Sequence, residues 1–328
     1  MNQYENLFKL FLTHLEGYKD GLVNKQPREL YDPENYILSL GGKRLRPILS
    51  LIACDLFDKK PEMALNSALS VELFHNFSLM HDDILDAAPL RRNRETVHKK
   101  WNTNIAILSG DVMLVKAFRV LENYSDKEFK QLSSLLTKTA TEVCEGQQLD
   151  MNFENINEVT VSAYIDMITK KTAVLLACSL QMGAINADAA IMEQENIYEF
   201  GKHLGIAFQL TDDMLDSFSE NSDSFGKRIG GDIIANKKTY LLLKAFELAN
   251  ENQKKQLVNL LKLNPEEAAD KVKGVKNIYN ELNIKKLSLN KADEHTQIAL
   301  ACLSKISANN NKKEELKQFA LALLNRQI

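Results

Sequence analysis

The chain has 328 residues, of which 45% are apolar and 26% charged, an ordinary composition for a globular protein. Its formal charge of −3 excludes general nucleic-acid binding through a strong positive field, so an anion site has to come from a local cluster of basic residues. With only 13 glycines and 6 prolines, the chain has few turn residues, which favours helices and excludes most β folds.

The predicted elements begin with an amphipathic helix from Tyr4 to about Val23, where apolar residues recur at helical spacing. A proline-containing loop follows. The next helix is predicted to begin at about Pro47, because proline suits the first turn of a helix. Nothing resembles a linker, so we expect one all-α domain over residues 1–328. Further helices are predicted over about 62–86, 104–122, 127–148, 158–185, 191–218, 236–249 and 253–262, with two or three more after about 265.

The cysteines and the apolar runs predict the cellular compartment of the protein. Four cysteines lie far apart without CxxC spacing, a pattern typical of free thiols in a reducing compartment. No uninterrupted apolar run approaches the roughly 20 residues that span a bilayer. We therefore expect a cytoplasmic protein with no membrane span.

Two predicted helices end in the same acidic pattern, HDDILD at 81–86 and TDDMLD at 211–216. At about 100° per residue, positions i, i+1 and i+4 occupy one sector of a helix, so the carboxylates converge. They repel one another unless a cation neutralises them. One copy alone is most simply a solvated helix end, but two copies favour metal sites. Each pattern contains a five-residue DDxxD motif, which we call a pentad. The converging residues are Asp82, Asp83 and Asp86 in the first pentad, and Asp212, Asp213 and Asp216 in the second.

Carboxylates of this kind favour Mg²⁺, which combines a few of them with water and phosphate oxygens. The implied substrate is a diphosphate. The chain has no GxxxxGK[ST] loop and no GxGxxG after a predicted strand, so nucleotide-binding folds have no support. Basic clusters would hold the phosphates instead, although each cluster alone is more simply explained by surface solubility. They are the segment GGKRLRP at 41–47 and the residues Arg91, Arg92, Arg94, Lys227, Arg228, Lys237 and Lys238.

Helix geometry places further polar residues near the pentads. His75 lies two turns before Asp82 on the same face, where it could donate to a phosphate, and Gln209 lies one turn before the second pentad. Other polar residues interrupt helices that are otherwise apolar, and they need a partner or a ligand. These are Gln147, Asp150, Lys171 and Thr172.

Eight motifs stand in order along the chain: GGKRLRP, ELFHNFSLMHDDILD, RRNRETVHKKW, GQQLDM, KKTA, FQLTDDMLD, FGKRIGGDI and KKT. With them, the sequence resembles the trans-isoprenyl diphosphate synthases over roughly residues 35–245. The resemblance implies a bundle of antiparallel helices around a deep central cavity, usually in a homodimer, with the two pentads facing each other across its mouth. It also implies a prenyltransferase that condenses isopentenyl diphosphate with an allylic diphosphate (dimethylallyl, geranyl or farnesyl) by Mg²⁺-assisted ionisation.

The same resemblance implies a role for each site residue. Three Mg²⁺ ions would bind the allylic diphosphate through the six aspartates, with Asp216 acting through metal-bound water. The allylic diphosphate would also contact Arg91, Gln147, Lys171, Lys227 and Lys237. Isopentenyl diphosphate would be held by Lys43, Arg46, His75 and Arg92. Thr172 and Gln209, with the carbonyl of Lys171, would stabilise the allylic cation.

Product length is predicted from the residues before the first pentad. In the family, the residues four and five positions before it often form the cavity floor, and here they are Ser78 and Phe77. They predict a C15–C20 product with geranylgeranyl diphosphate favoured, and a longer-chain synthase is the alternative. A straight-helix projection instead puts Leu79 beneath the pentad.

Two segments depart from the family pattern. Asn93 and Glu95 stand where glycine and proline are common, and Ala235–Asn236 replaces a frequent glutamate and glycine. These changes affect loop backbone and charge, and they leave the predicted metal ligands intact.

Three rival functions fit less well. A terpene cyclase normally mixes Asn, Ser and Glu in its second metal motif and lacks an isopentenyl pocket. A metal-dependent phosphohydrolase of the His-Asp type needs further distant histidines, and this chain has only 6 in all. A non-catalytic subunit of a heteromeric synthase typically loses one pentad, whereas both are whole here.

Overall fold

The computed structural model describes residues 4–156, 158–219 and 230–325. Helices make up almost all of this part of the chain, which confirms the all-α prediction. Its only strands are β1 (Leu90–Arg91) and β2 (Arg94–Glu95), which pair as an antiparallel hairpin. Among the described helices, none combines the length and the apolar character needed to cross a membrane.

The first helices differ from the prediction at one place. The helices α1 (Glu5–Asp20) and α3 (Leu45–Leu56) lie close to where periodicity put them. Between them, however, the predicted loop contains α2 (Arg28–Ser39), which includes Pro33. The loop prediction was wrong because prolines normally interrupt a helix. Pro33 is tolerated here inside a short helix whose buried face includes Ile37 and Leu38.

The remaining helices follow the predicted order. The long apolar stretch predicted over 158–185 is in fact two α-helices joined by a π-helical turn, Thr169–Ala173. The α-helices are α4 (Leu65–Leu85), α5 (Val97–Lys100), α6 (Thr103–Arg119), α7 (Asp126–Asn155), α8 (Val161–Ile168), α9 (Val174–Asn186), α10 (Ile191–Phe218), α11 (Gly231–Ile234), α12 (Tyr240–Leu248), α13 (Glu251–Leu261), α14 (Ala268–Glu281), α15 (Ile284–Lys305) and α16 (Asn310–Leu324). Short 3₁₀ turns are Pro61–Ala64, Val120–Asn123 and Pro265–Glu267.

By its internal contacts the chain divides into two compact units. Unit 1 comprises Met1–Lys138, Cys178–Tyr198 and Ile306–Leu316, and unit 2 comprises Thr139–Ala177, Glu199–Lys305 and Lys317–Ile328. Four of the five boundaries fall within α7, α9, α10 and α16, and the fifth falls at the end of α15. A single domain stays a prediction.

Unit 1 is built around α4, which is buried along most of its length and packs against α3 and α6. A buried ion pair joins two of its other helices. Glu34 of α2 is fully buried, and it accepts from Lys116 of α6 at 2.5 Å and from the hydroxyl of Tyr18 at 2.5 Å. A charge at such a position is stable only when paired in this way.

Unit 2 contains two clusters of buried apolar side chains. One gathers residues of α8, α10 and α12, including Tyr164, Leu210 and Leu243. The other gathers residues of α11 to α15, including Leu257 and Tyr279. The first cluster lies directly beside the second acidic pentad, because Leu210 stands two residues before Asp212, the first aspartate of that pentad.

Two histidines meet between α10 and α15 of unit 2. The Nδ1 atoms of His203 and His295 are 2.9 Å apart, and the rings stack with centroids 5.2 Å apart. Burial lowers the pKa of His295 to about 4, and the neighbouring His203 and Lys291 lower it further than Glu294 raises it. Burial also lowers the pKa of His203, to which Lys202 and Glu199 contribute with opposite signs. The folded state therefore favours two neutral rings.

This pair predicts a loss of stability in mild acid. Between the ordinary histidine pKa of 6.5 and a folded value of about 4, the unfolded chain takes up protons that the folded chain does not, so stability falls as the pH falls. We expect the melting temperature to drop more between pH 7.5 and pH 5.0 in the natural protein than in His295→Leu, as measured by circular dichroism. Equal drops in both proteins would show that this histidine pair does not contribute.

Candidate functional site

The first pentad lies at the end of α4 in unit 1. Asp83 is 2% exposed, and both its oxygens accept from the Nε atom of Arg91, at 2.9 and 2.8 Å. The Nη2 atom of Arg91 lies 2.7 Å from Asp83 and 3.6 Å from Asp82. Burial raises the pKa of Asp83 even though Arg91 opposes that effect. Arg91 therefore already holds the middle aspartate, while Asp86 caps the helix and is exposed.

The hairpin that carries Arg91 explains one departure from the family pattern. Leu90 pairs with Glu95 and Arg91 with Arg94, which leaves Arg92 and Asn93 as a two-residue loop. Both loop residues have positive φ, 53° and 61°. Such loops require this left-handed conformation, and asparagine is among the residues that adopt it most easily. Asn93 thus adopts the left-handed conformation of this turn, at a position where the family commonly has glycine.

Arg92 contacts the glycine pair that precedes α3. Its Nη1 atom donates to the carbonyl of Gly41. A Cβ atom on Gly42 would lie 2.8–2.9 Å from three atoms of the Arg92 guanidinium. Gly42 also has a φ of 121°, which side chains rarely tolerate. The glycine therefore permits the guanidinium to lie against the backbone.

His75 holds Arg46 in the same unit. The Nη1 atom of Arg46 is 3.1 Å from Nε2 of His75, and since a guanidinium only donates, His75 accepts there. Burial lowers the pKa of His75 well below its usual value, and the positive charge of Arg46 lowers it further. In this structure Nε2 accepts from Arg46, so the donation to phosphate predicted for His75 would have to come from its other nitrogen.

The second pentad lies in α10 of unit 2, where Asp213 is enclosed. It is 5% exposed, and it accepts from the buried hydroxyl of Tyr164 and from Nε2 of Gln209 at 2.8 Å. The hydroxyl of Thr172 donates to Oε1 of Gln209 at 3.2 Å. Burial, with the negative charge of Asp232, raises the pKa of Asp213 to about 8. The middle aspartate of each pentad is therefore buried and bonded within the protein.

Asp216 contacts the start of the next described segment. One of its carboxylate oxygens accepts from the backbone N–H of Asp232 at 3.0 Å, and its carbonyl accepts from the N–H of Gly230 at 2.7 Å. Gly230 has a φ of 77°. These bonds bring Asp232 to the second pentad, so the acidic group in unit 2 has a fourth member beside the three predicted ones.

The π-helical turn presents Lys171 and Thr172. Lys171 lies 2.5 Å from Asp150 of α7. A Cβ atom on Gly146 would lie 2.7 Å from Cα of Lys171, and one on Gly205 would lie 2.5 Å from Cα of Ala173. The turn is thus packed between two helices that approach closely because glycine faces it from each side. Single π turns of this kind are frequent at functional sites.

A cavity of about 210 Å³ in unit 2 joins these groups. Among the described residues, five aspartates and three lysines line it. The lining residues are Asp150, Tyr164, Met167, Ile168, Lys171, Thr172, Gln209, Asp212, Asp213, Asp216, Asp232, Lys237, Lys238 and Thr239.

The structure thus groups most of the predicted site residues within the two units. Unit 1 contains Lys43, Arg46, His75, Asp82, Asp83, Asp86, Arg91 and Arg92, and unit 2 contains Gln147, Lys171, Thr172, Gln209, Asp212, Asp213, Asp216 and Lys237. Gln147 is partly buried on α7 beside Gly146. The predicted Lys227, like Arg228, lies outside the described residues. The convergence of the two pentads on one diphosphate stays a prediction.

Sequence reasoning missed several groups. Tyr164 looked like an ordinary core residue of an apolar helix, although it stands two turns before Lys171, where a buried hydroxyl needs a partner. Asp232 was visible in the FGKRIGGDI motif but carried no assigned role. Arg44 and Glu72 were noticed only as parts of motifs. Their buried contact could not be read from spacing.

The predicted floor residues are placed as follows. Phe77 is buried and packs against Phe74 and the ring of His81, with centroids 5.6 and 4.8 Å away. The hydroxyl of Ser78 donates to the carbonyl of His75 at 2.8 Å. Their role in product length stays a prediction.

The donor chemistry fits Mg²⁺. Within the described ranges, no three His, Cys, Asp or Glu side chains are grouped closely enough to hold a metal ion by themselves. An ion here would therefore need further oxygen ligands, which is the way Mg²⁺ binds with water and phosphate. Burial raises the pKa of Asp213 and the negative charges of Asp232 and Asp212 raise it further, so a cation beside these carboxylates would oppose the shift.

Known proteins resemble this chain in sequence and in fold. The chain is 40% identical over 238 residues to a geranylgeranyl diphosphate synthase from Methanosarcina mazei, covering 72% of this chain and 73% of that one. It is 38% identical to a short chain isoprenyl diphosphate synthase from Methanocaldococcus jannaschii, covering 78% and 77%. A crystal structure of geranylgeranyl pyrophosphate synthase superposes with a TM-score of 0.94 at 44% identity, covering all of both chains.

That solved structure shares the all-α fold of this chain over its whole length. The polyprenyl synthetase family matches residues 27–282, a range that includes both pentads and the GGKRLRP segment. This chain therefore belongs to the polyprenyl synthetase family and is a prenyltransferase.

Proposed function

We propose that the enzyme condenses isopentenyl diphosphate with an allylic diphosphate and that its main product is geranylgeranyl diphosphate. The observation that carries the proposal is that each pentad has a buried middle aspartate fixed within the protein, by Arg91 in one case and by Tyr164 and Gln209 in the other. The relatives named for geranylgeranyl synthesis support the choice of product.

The allylic diphosphate would bind at the two pentads, through metal ions. Asp82, Asp86 and Asp212 would hold three Mg²⁺ ions, with Asp216 acting through water. When bound, the metal would stabilise the negative charge that develops on the departing diphosphate. Asp83 and Asp213 would keep the ligands of their own helices in place.

The chain's own residues do the rest of this work. Lys171 and Lys237 line the unit 2 cavity and would add positive charge against the diphosphate. Thr172 donates to Gln209, so the oxygens of both side chains are held in place and would offer dipoles to the allylic cation. Lys43, Arg46 and Arg92 would bind the diphosphate of isopentenyl diphosphate, with His75 holding Arg46. We assign no protein base, because the released diphosphate can take the final proton.

We also propose a cytoplasmic homodimer. In unit 1, α6 exposes Ile107, Leu108 and Val115, whose exposed fractions are 40%, 59% and 65%. They lie along one side of the helix at spacings of one, seven and eight residues. A second copy of the chain would cover such an apolar strip. The described cysteines are all free thiols, which supports a reducing compartment.

The proposed reaction predicts a dependence on both substrates and on metal. We expect the purified enzyme to elongate dimethylallyl, geranyl or farnesyl diphosphate with isopentenyl diphosphate in the presence of Mg²⁺, and to stop when EDTA removes the metal. The products are sized by chromatography after dephosphorylation. If no primer is elongated, the proposal is wrong; release of a cyclic hydrocarbon without isopentenyl diphosphate would point to a terpene cyclase.

Phe77 is proposed to limit product length. Replacing Phe77 with alanine removes a buried ring from α4, and we expect products at least one isoprene unit longer than geranylgeranyl diphosphate. The same product assay measures this. Leu79→Ala is the matched control, since a straight projection of the helix puts that residue beneath the pentad. If lengthening follows Leu79→Ala and not Phe77→Ala, the floor is misassigned.

Tyr164 predicts a change in metal dependence. Tyr164→Phe removes the buried hydroxyl that donates to Asp213, so the second pentad loses alignment without losing a carboxylate. We expect the Mg²⁺ concentration for half-maximal activity to rise roughly tenfold, the effect of one hydrogen bond to a charged group. Tyr240→Phe, in the same core cluster, should leave it unchanged. An unaltered Mg²⁺ dependence in Tyr164→Phe would contradict this role.

A further inference from the structure

The middle cation of the GGKRLRP segment turns inward. Lys43 is exposed, but Arg44 is 6% exposed and forms an ion pair with Glu72 of α4, which is 2% exposed. A second nitrogen of the same guanidinium donates to the carbonyl of Leu38 in the last turn of α2. One side chain therefore joins α2 and α4 to the start of α3.

The backbone at Arg44 has an unusual conformation. Arg44 is the N-cap residue of α3, and its φ of 46° and ψ of 38° lie in the left-handed region. A residue with a side chain adopts this conformation only when its surroundings hold it there. The contacts with Glu72 and Leu38 are the described interactions that do so. They fix the direction in which the chain enters α3.

Glu72 is itself fixed. Nδ2 of Asn76 donates to its carboxylate at 2.8 Å and to its carbonyl at 2.8 Å. His75 stands between these two residues on α4 and accepts from Arg46 at 3.1 Å. Arg44 and Arg46 thus both contact α4 within one helical turn.

Glu72 also supplies negative charge among several cations. The pKa of Arg92 is lowered by burial and by the charge of Arg44, and Glu72 opposes that shift. Without Glu72, the buried guanidinium of Arg44 and the more exposed one of Arg92 would repel each other with less compensation. The carboxylate therefore allows the cations to stay together.

From these contacts we propose that Arg44 and Glu72 are a positioning pair, which directs Lys43 and Arg46 toward the diphosphate of isopentenyl diphosphate without touching it. This rests on the proposed function, in which those two cations bind that substrate. Neither Arg44 nor Glu72 is a catalytic residue.

The test removes both charges together. Replacing a buried ion pair by apolar residues of similar size is often neutral for stability, whereas removing one partner leaves a buried charge. We expect Arg44→Met/Glu72→Leu to fold but to raise the KM for isopentenyl diphosphate at least tenfold. The KM for the allylic diphosphate should change less than twofold. Titration calorimetry of the enzyme with isopentenyl diphosphate alone should show the same weakening of Kd.

Unit 1 offers a matched control. Lys116 and Glu34 form another buried ion pair, and Glu34 accepts from Tyr18 as Glu72 accepts from Asn76. Lys116→Met/Glu34→Leu should change the melting temperature to a similar extent while leaving both KM values unchanged. A rise in the isopentenyl KM in this control would mean that any disturbed pair in unit 1 has the effect, and the inference would fail.

A conservative variant separates geometry from charge. Arg44→Lys keeps the positive charge, but a lysine ammonium lacks the planar guanidinium that donates to Glu72 and to the carbonyl of Leu38 at the same time. Positioning predicts that this variant also weakens isopentenyl diphosphate binding, whereas normal binding would overturn the proposal. Should the double variant not fold, Glu72→Gln answers the same question, since normal binding there would equally overturn it.

The two proposals fail in different ways. If the natural enzyme condenses its substrates and the double variant binds isopentenyl diphosphate as tightly as the natural enzyme, the positioning pair is wrong and the proposed function stands. If the natural enzyme neither condenses nor binds isopentenyl diphosphate, both proposals fall.

Discussion

Charges at the ends of buried helices must be compensated, and most of the site geometry follows from how this chain does so. The two pentads have the same sequence pattern, but different kinds of donor compensate their buried aspartates. Asp83 is held by the guanidinium of Arg91 from a hairpin, and Asp213 by the neutral donors Tyr164 and Gln209. Burial, followed by the negative charge of Asp232, raises the pKa of Asp213 to about 8, although the hydrogen bonds from Tyr164 and Gln209 oppose that shift. A cation bound at the second pentad would oppose this shift.

Backbone contacts set the positions of these side chains. Gly42 lets the Arg92 guanidinium lie against the chain, and Gly146 and Gly205 let two helices close on the π turn. A Cβ atom at any of these three places would collide with a neighbour, so the polar groups would shift with their backbone. A misplacement of about 1 Å can cost a large factor in rate. Glycine at these positions is thus part of the chemistry of the site.

Periodicity and spacing predicted the helices and the pentads well, because both depend on residues close together in sequence. The prediction failed where a longer-range contact overrode a local rule. Pro33 is tolerated because α2 buries an apolar face, and the π turn has the same apolar pattern as the α-helices around it. The acceptor role of His75 depends on Arg46, which is 29 residues away. Tyr164 and Asp213 are 49 residues apart. A pattern of neighbouring residues cannot predict contacts between residues so far apart in the sequence.

The balance of charge within each unit bears on how the two diphosphates would bind. Among the described residues, more aspartates than lysines line the unit 2 cavity, and these carboxylates would repel a diphosphate unless metal ions came with it. The group around Arg44 in unit 1 has the opposite balance, since Glu72 offsets only one of its cations. A diphosphate could bind there without metal. The sign of the fixed charge thus favours the proposed arrangement, in which the metal-dependent leaving group binds at the acidic site and the diphosphate that is not cleaved binds at the basic one.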